Sequence, residues 1–192
     1  MLHDIIGAGD SVSCSVGVIC MPSIQLMRPS LPYAAEIAAF RQELLDTGSN
    51  FSGCGSLCDC PSIEAWIRMV EASETTCAEG SVTSSSYIAV RMSDGKVVGI
   101  IDLRHHIDHP ILSVWGGHIG YTVRPSERRM GYAKEMLRQN LQHCRDRGLE
   151  KVLIVCNADN IASEKTITAN GGVFEKEITI DGQLMKRFLV FL

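Results

Sequence analysis

His118-Ile-Gly-Tyr-Thr-Val-Arg-Pro-Ser-Glu-Arg-Arg-Met-Gly-Tyr-Ala133 sets out a strand, a loop and the start of a helix in one run. Ile119, Tyr121 and Val123 alternate with small or polar neighbours at the period of a strand. Pro125 then removes a ladder donor and ends it. The loop Ser126 to Met130 carries two adjacent arginines and leads into Gly131. Beyond it Ala133, Met136, Leu137, Leu141 and Cys144 share one helical face. Lys134, Glu135, Arg138, Gln139 and Gln142 take the other, and Gly148 supplies the stop. A strand feeding a short basic loop and then a helix gathers unpaired main-chain N–H groups and a positive dipole end at one place. Such a place binds phosphate. Gly131 lets the backbone approach a bulky anion, and Ala133 keeps the first turn open. Arg124, Arg128 and Arg129 are assigned to this loop, so local charge outweighs the formal net charge of −4.

Outward from this stretch, Ile24 to Met27 reads as a short edge strand closed off by Pro29 and Pro32. Tyr33 to Leu45 carries an apolar stripe of Ala34, Ile37, Phe40, Leu44 and Leu45 and predicts a helix. Gly48 to Cys60 is a loop. Ser62 caps a second helix over Ile63 to Glu71, with Glu64 in its first turn and Trp66 read as core in preference to a substrate contact. Tyr87 to Met92 and Lys96 to Leu103 form a hairpin across Ser93-Asp94-Gly95. Lys151 to Val155 is a buried strand reached through the helix, hence parallel to 118–123 by a right-handed crossover. A helix over Ile161 to Asn170 stops at Gly171-Gly172. Val173 to Ile180 and Leu184 to Leu192 close the chain as a hairpin turned by Asp181-Gly182. The order is β-α-α-β-β-β-α-β-α-β-β, an α/β fold with a mixed, mostly antiparallel sheet and helices on both faces.

Arg128-Arg-Met-Gly131-Tyr-Ala133 has the form R-x-x-G-x-A and resembles the pyrophosphate loop of the GNAT family of N-acetyltransferases. Downstream, Asn157, Asn160, Ser163, Lys165 and Gly171-Gly172 resemble that family's strand-to-helix pattern N-x-x-S-x-K with its terminal stop. The likeness spans roughly residues 24–190. It implies acetyl-coenzyme A as cosubstrate, with no metal. The pyrophosphate would lie on the N–H groups of Arg128, Arg129, Met130, Gly131, Tyr132 and Ala133, and the pantetheine arm along the strand ending at Val123, the strands 118–123 and 151–155 diverging to admit it. Asn160 and Ser163 would bind the arm or cap their helix.

Acetyl transfer to a primary amine needs a proton acceptor, because such an amine, with a pKa near 10.4, is protonated at neutral pH. His118 is the first candidate, since it titrates near neutrality, and Tyr121 the second. A main-chain N–H near Tyr121 to Val123 would serve the oxyanion. Many family members carry a tyrosine in the helix after the second parallel strand. Ser163-Glu-Lys-Thr-Ile-Thr-Ala-Asn170 has none, which leaves a non-catalytic acyl-CoA sensor as the alternative to a transferase. The acceptor is a small-molecule or peptide amine of unidentified kind.

Composition narrows the remaining classes. At 192 residues one domain over 21–192 is expected, after an extension over 1–20 that has no basic start or long apolar run for export. No stretch is basic enough for nucleic acid as the main partner, and none is long enough to cross a bilayer. Eight scattered cysteines read as reduced thiols of a cytoplasmic protein. Cys54-x-x-x-Cys58-x-Cys60 lacks the C-x-x-C knuckle of a zinc site. His105-His106-x-Asp108-His109 is read as a solvated loop, with lining of the acceptor pocket and metal ligation as lesser readings. The apolar end Phe188 to Leu192 is a candidate surface for pairing with a second copy.

Overall fold

The computed structural model describes residues 23–192, so the expected extension over residues 1–20 lies outside the described residues. The elements are β1 (Ile24–Met27), α1 (Ala34–Asp46), α2 (Ile63–Ala72), β2 (Ser84–Arg91), β3 (Val97–Arg104), β4 (Ile119–Val123), α3 (Tyr132–Asp146), β5 (Lys151–Asn157), α4 (Ile161–Thr168), β6 (Val173–Ile180) and β7 (Gln183–Phe191). This is the order read from the sequence, with a mixed α/β architecture and helices on both faces.

Alternation along β2 and β3 sorts their side chains to two faces. Tyr87, Ala89, Ile101 and Leu103 join Met136, Leu137 and Leu141 of α3 in one apolar cluster. Ile88, Val90 and Ile100 join Ile37, Phe40 and Leu44 of α1 and Trp66 of α2 in the other. Trp66 is fully buried, as the core reading expects, and its indole N–H donates to Cys54 O at 2.9 Å. Ser62 Oγ accepts Ala65 N–H (3.1 Å) at the start of α2. Asp181 and Gly182 turn the last hairpin with φ of 48° and 79°, the left-handed pair that a two-residue hairpin loop requires.

The strands form two sheets, β1-β2-β3-β4 and β5-β7-β6, and every ladder in them is antiparallel. The strands 118–123 and 151–155, expected to diverge, share no ladder and meet at a single point. His118 N–H donates to Leu153 O (2.8 Å) and Leu153 N–H donates to His118 Nδ1 (2.9 Å). Gly117 permits it: φ is 65°, and a Cβ there would lie 2.7 Å from Leu153 O. No further main-chain bond joins β4 to β5 among the described residues.

Register decides what the separated strands present to each other. Arg104 N–H donates to His118 O and Arg124 N–H to Val98 O, both at 2.8 Å. Bonded pairs alternate in an antiparallel ladder, so even-numbered residues of β4 bond to β3. The N–H and C=O groups of Ile119, Tyr121 and Val123 therefore face β5. The same parity on β5, fixed by Leu192 N–H to Glu150 O and Ala158 N–H to Leu184 O (2.9 Å each), turns Val155 and Asn157 toward β4. Past the contact at His118, two sets of unladdered main-chain groups line a wedge.

The loop between α1 and α2 closes one side of that wedge. Thr122 Oγ1 donates to Ser52 O at 2.7 Å, and Gly53 lies directly on Gly120, where a Cβ on Gly53 would come within 2.1 Å of Gly120 O. With φ at 73° as well, Gly53→Ala is expected to cost more than about 3 kcal/mol through overpacking and left-handed strain. Chemical denaturation of the variant checks this, an unchanged midpoint being the contrary result.

Candidate active site

The wedge is a cleft of about 1260 Å³ reaching from the start of α3 to the loop before β4. At the α3 end, Gly131 is the N-cap with φ 83°, Arg129 takes φ 67°, and no side chain caps the helix. Main-chain N–H groups of residues 129–134 make no hydrogen bond among the described residues. Six consecutive free donors lie at the positive end of a helix of 15 residues, a geometry that fits an anion. Arg129, Lys134 and Lys165 line that end without an ion pair among the described residues. Glu127, the one carboxylate among the described residues lining the cleft, is held below its usual pKa by Lys96 Nζ (2.6 Å) and Arg91 (2.7 Å), so its charge is already matched.

The residues expected to hold a cofactor fall unevenly. Val123, Arg128, Arg129, Gly131, Tyr132, Ala133, Asn160 and Ser163 line the cleft. Met130 points into solvent and offers only its N–H. Tyr132 is buried, its hydroxyl accepting from Arg91 (3.1 Å). Arg128 bends back, donating to Val123 O (3.3 Å) and Ser49 Oγ (2.9 Å). Arg124 is a correction. It is buried against α1, donating to Glu36 O (3.2 Å) and facing Glu43 (3.5 Å), because Pro125 turns the chain only after Arg124 has bonded to β3. It is a structural cation outside the loop.

Midway along the cleft Tyr121 reaches from β4 to the start of α4, its hydroxyl 2.7 Å from Ser163 Oγ. Burial pushes the phenol up to about 12, with Ser163 opposing, so it is protonated at neutral pH. Asn160 Oδ1 accepts Ser163 N–H (3.0 Å) and caps α4. Helix α4 lacks a tyrosine, yet a phenol hydroxyl lies at its first turn, supplied by the facing strand.

His118 is buried at the apex of the wedge and does not line the cleft. Desolvation lowers its pKa to about 4, and its Nδ1 is occupied by Leu153 N–H. Two of the three histidines of 105–109 tie their loop to 80–85. His105 sits between Thr83 Oγ1 (3.0 Å) and Ser85 Oγ (2.8 Å), and His109 Nε2 donates to Gly80 O (2.9 Å). None of them lines the cleft. Cys54 and Cys60 are buried, burial raising the Cys54 thiol far above its ordinary value. Among the described residues no group of three or more His, Cys, Asp or Glu is placed to hold a metal ion, and no helix is long and apolar enough to cross a membrane.

The opposite end of the cleft holds residues the sequence reading passed over. Residues 112–116 form a π-helical turn fixed from both sheets. Arg104 donates to Gly116 O and Gly117 O (3.0 Å each), and Arg187 donates to Ser113 O (2.9 Å) and to Val114 O. Trp115 stands at the cleft mouth, 40% exposed. Behind β4, outside the residues that line the cleft, Asp102 is 8% exposed and accepts Gly120 N–H at 2.9 Å in the seam with β3. A signal for it existed: an acidic residue inside the apolar run Val97 to Leu103 must find partners or a task.

An acetyltransferase (GNAT) domain profile matches residues 54–173. No curated protein matches the sequence. Among solved structures, a putative ribosomal-protein-serine acetyltransferase from Vibrio cholerae is 18% identical with a TM-score of 0.61, covering 88% of this chain and 94% of its own. The microcin C7 self-immunity acetyltransferase MccE, in complex with acetyl-CoA and AMP, is 18% identical with a TM-score of 0.62, covering 88% and 92%. RimL, a ribosomal alpha-N-protein acetyltransferase in complex with coenzyme A, is 18% identical with a TM-score of 0.61, covering 88% and 94%.

Proposed function

Since its profile matches more than half of the sequence, the chain belongs to the GNAT acetyltransferase family, and from that premise we propose that it transfers the acetyl group of acetyl-coenzyme A to a primary amine held at the Trp115 end of the cleft. The observation that carries the reading is the row of free N–H groups over 129–134 at the mouth of a splayed strand pair. These donors, with Arg129 beside them, fit a pyrophosphate. The outward main-chain groups of Tyr121 and Val123 fit the amides of a pantetheine arm, in place of the ladder that β5 does not complete. Solved relatives bound to acetyl-CoA or coenzyme A support the choice of nucleotide.

With the arm along β4, the thioester carbonyl comes to the N–H groups at Ile119 and Tyr121, which supply an oxyanion contact without side chains. The leaving sulfur comes to the Tyr121 hydroxyl. A phenol held protonated and bonded to Ser163 is a proton donor in this place, which makes the second of the two expected catalytic residues an acid. Tyr121→Phe is expected to lower kcat about 100-fold with little change in affinity for acetyl-CoA. Steady-state kinetics beside calorimetric titration decide it, equal losses in kcat and affinity being the contrary result.

His118 fits a structural task better than that of a base, since its Nδ1 holds the two strands together where they part. Thiol release from acetyl-CoA across a panel of primary amines tests the reaction as a whole. Release with at least one amine supports transfer, whereas tight binding with no release from any would make the protein a sensor of acyl-CoA.

A further inference from the structure

We propose that the acceptor is the α-amine of a peptide or other aminoacyl group, in preference to a lysine side chain or a polyamine, which rests on the transferase reading above. The Trp115 end of the cleft presents one charge. Arg104 lines it beside Trp115 and Gly116. Its Nη1 is fixed between Gly116 O and Gly117 O (3.0 Å each), whereas its Nε and Nη2 make no hydrogen bond among the described residues. A guanidinium held in this way offers N–H donors to a carbonyl oxygen and disfavours an ammonium beside it. An amine next to a carbonyl meets both conditions.

The described lining of the cleft has no histidine, and its one carboxylate, Glu127, sits at the α3 end, paired with Lys96 and Arg91 at 2.6 and 2.7 Å. Asp102 faces Arg104 at 3.5 Å but is buried behind β4, so the cleft meets the guanidinium and not the carboxylate. Arg187, which holds the same turn, is paired with Glu175 at 2.6 Å. His118 is buried at the apex with Nδ1 bonded to Leu153 N–H. Burial holds the Tyr121 phenol and the Cys156 thiol above their ordinary values, so both stay protonated. The ammonium's proton therefore leaves to water, and the acceptor's own basicity sets how often it does. An α-amine has a pKa of about 7.7–8.0 and a lysine amine about 10.4, which makes the neutral fraction at pH 7 differ by roughly 300-fold.

The step balances with water as the one further reactant. One N–H bond of the ammonium breaks and its proton passes to water. The freed lone pair forms the C–N bond, and the C–S bond breaks with its electrons on sulfur. Tyr121 gives its proton to sulfur and regains one from the nitrogen.

Peptides with a single amine each test this. Two are isomers that begin with alanine or with β-alanine, whose amine lies one carbon further from the carbonyl and is more basic. A third is blocked at its N-terminus and carries one lysine, and spermidine and ethanolamine complete the series. Thiol release from acetyl-CoA is followed against pH for the wild-type protein and for Arg104→Gln, which keeps a donor for Gly116 O and removes the charge. At pH 7 the expected kcat/KM for the alanine peptide is at least about 10-fold above that of its isomer and about 100-fold above that of the lysine peptide. The acidic limb of each profile is expected to move to higher pH as the acceptor's own pKa rises. In Arg104→Gln the alanine peptide's advantage over the lysine peptide falls by about 10-fold, with unchanged acetyl-CoA affinity. Equal or faster release at pH 7 with the lysine peptide or spermidine overturns the proposal. So does an acidic limb at one pH for every acceptor, the mark of a base within the protein, or an undiminished advantage in Arg104→Gln. If the wild-type protein binds acetyl-CoA but releases no thiol with any of these amines, the transferase reading itself fails and the proposal falls with it.

Discussion

Gly131→Glu is expected to weaken acetyl-coenzyme A binding by at least about 100-fold while the protein stays folded. Two effects act together. Gly131 sits at φ 83° as the N-cap of α3, where a side chain costs about 1–2 kcal/mol of left-handed strain. The new carboxylate also lies among the free N–H groups of 129–134 and would satisfy them itself, as an acidic residue at a helix start does. The strain is local and the cap partly offsets it, so the melting temperature moves by only a few degrees. Calorimetric titration gives the affinity and thermal melting controls for the fold. Gly131→Ala separates the two causes, since it carries the strain without the charge and should lose far less affinity. Unchanged affinity in folded Gly131→Glu would count against the anion cradle.

The second large effect concerns the apex of the wedge. His118→Phe removes the acceptor of Leu153 N–H and leaves a buried donor without a partner, at a cost of about 1–3 kcal/mol. The pH dependence carries the same information with a defined sign. Desolvation puts the folded His118 pKa at about 4, below the ordinary value near 6.5. Between those values the unfolded chain binds the extra proton. The histidine's contribution is thus fully present above about pH 6.5 and drains away as pH falls toward 4, amounting to roughly 2 kcal/mol once partial access of solvent is discounted. His118→Asn offers an acceptor near the place of Nδ1 and does not titrate, so it should keep most of the stability and flatten that part of the curve. Urea unfolding of the three proteins across this range makes the comparison. A curve of the same slope in His118→Asn would assign the proton elsewhere. Retained thiol release in His118→Asn would support the structural task over that of a base.

The order of elements was legible because each carries its own local signal: a cap at Ser62, Asp-Gly turns at 94–95 and 181–182, and alternation in β4. The strand-to-helix turn proposed to hold phosphate was legible for a related reason, since Arg129 and Gly131 are short-range features of that one turn. What escaped depends on register across the sheet. Parity against β3 and β7 turns Tyr121 and Val155 toward each other, and no window of sequence reports it. The divergence of β4 from β5 was expected, but the point where they part, at His118 and Leu153, is a contact between residues 35 positions apart. Asp102 and Gly120 become one feature only when β3 and β4 are laid side by side. Arg124 was placed in the basic loop by adjacency, whereas the ladder bond to Val98 turns it toward Glu36 and Glu43. Arg104 and Arg187, which hold the turn before β4 from two different sheets, carry no motif at all.

The wedge between β4 and β5 is the proposed seat of the thioester cosubstrate. Amide-resolved NMR of the labelled protein during titration with acetyl-coenzyme A tests it most directly. The largest shifts are predicted at the N–H groups of residues 129–134, followed by those of Tyr121 and Val123, all saturating with one affinity. Saturable binding that leaves these amides unmoved and shifts others instead would contradict it.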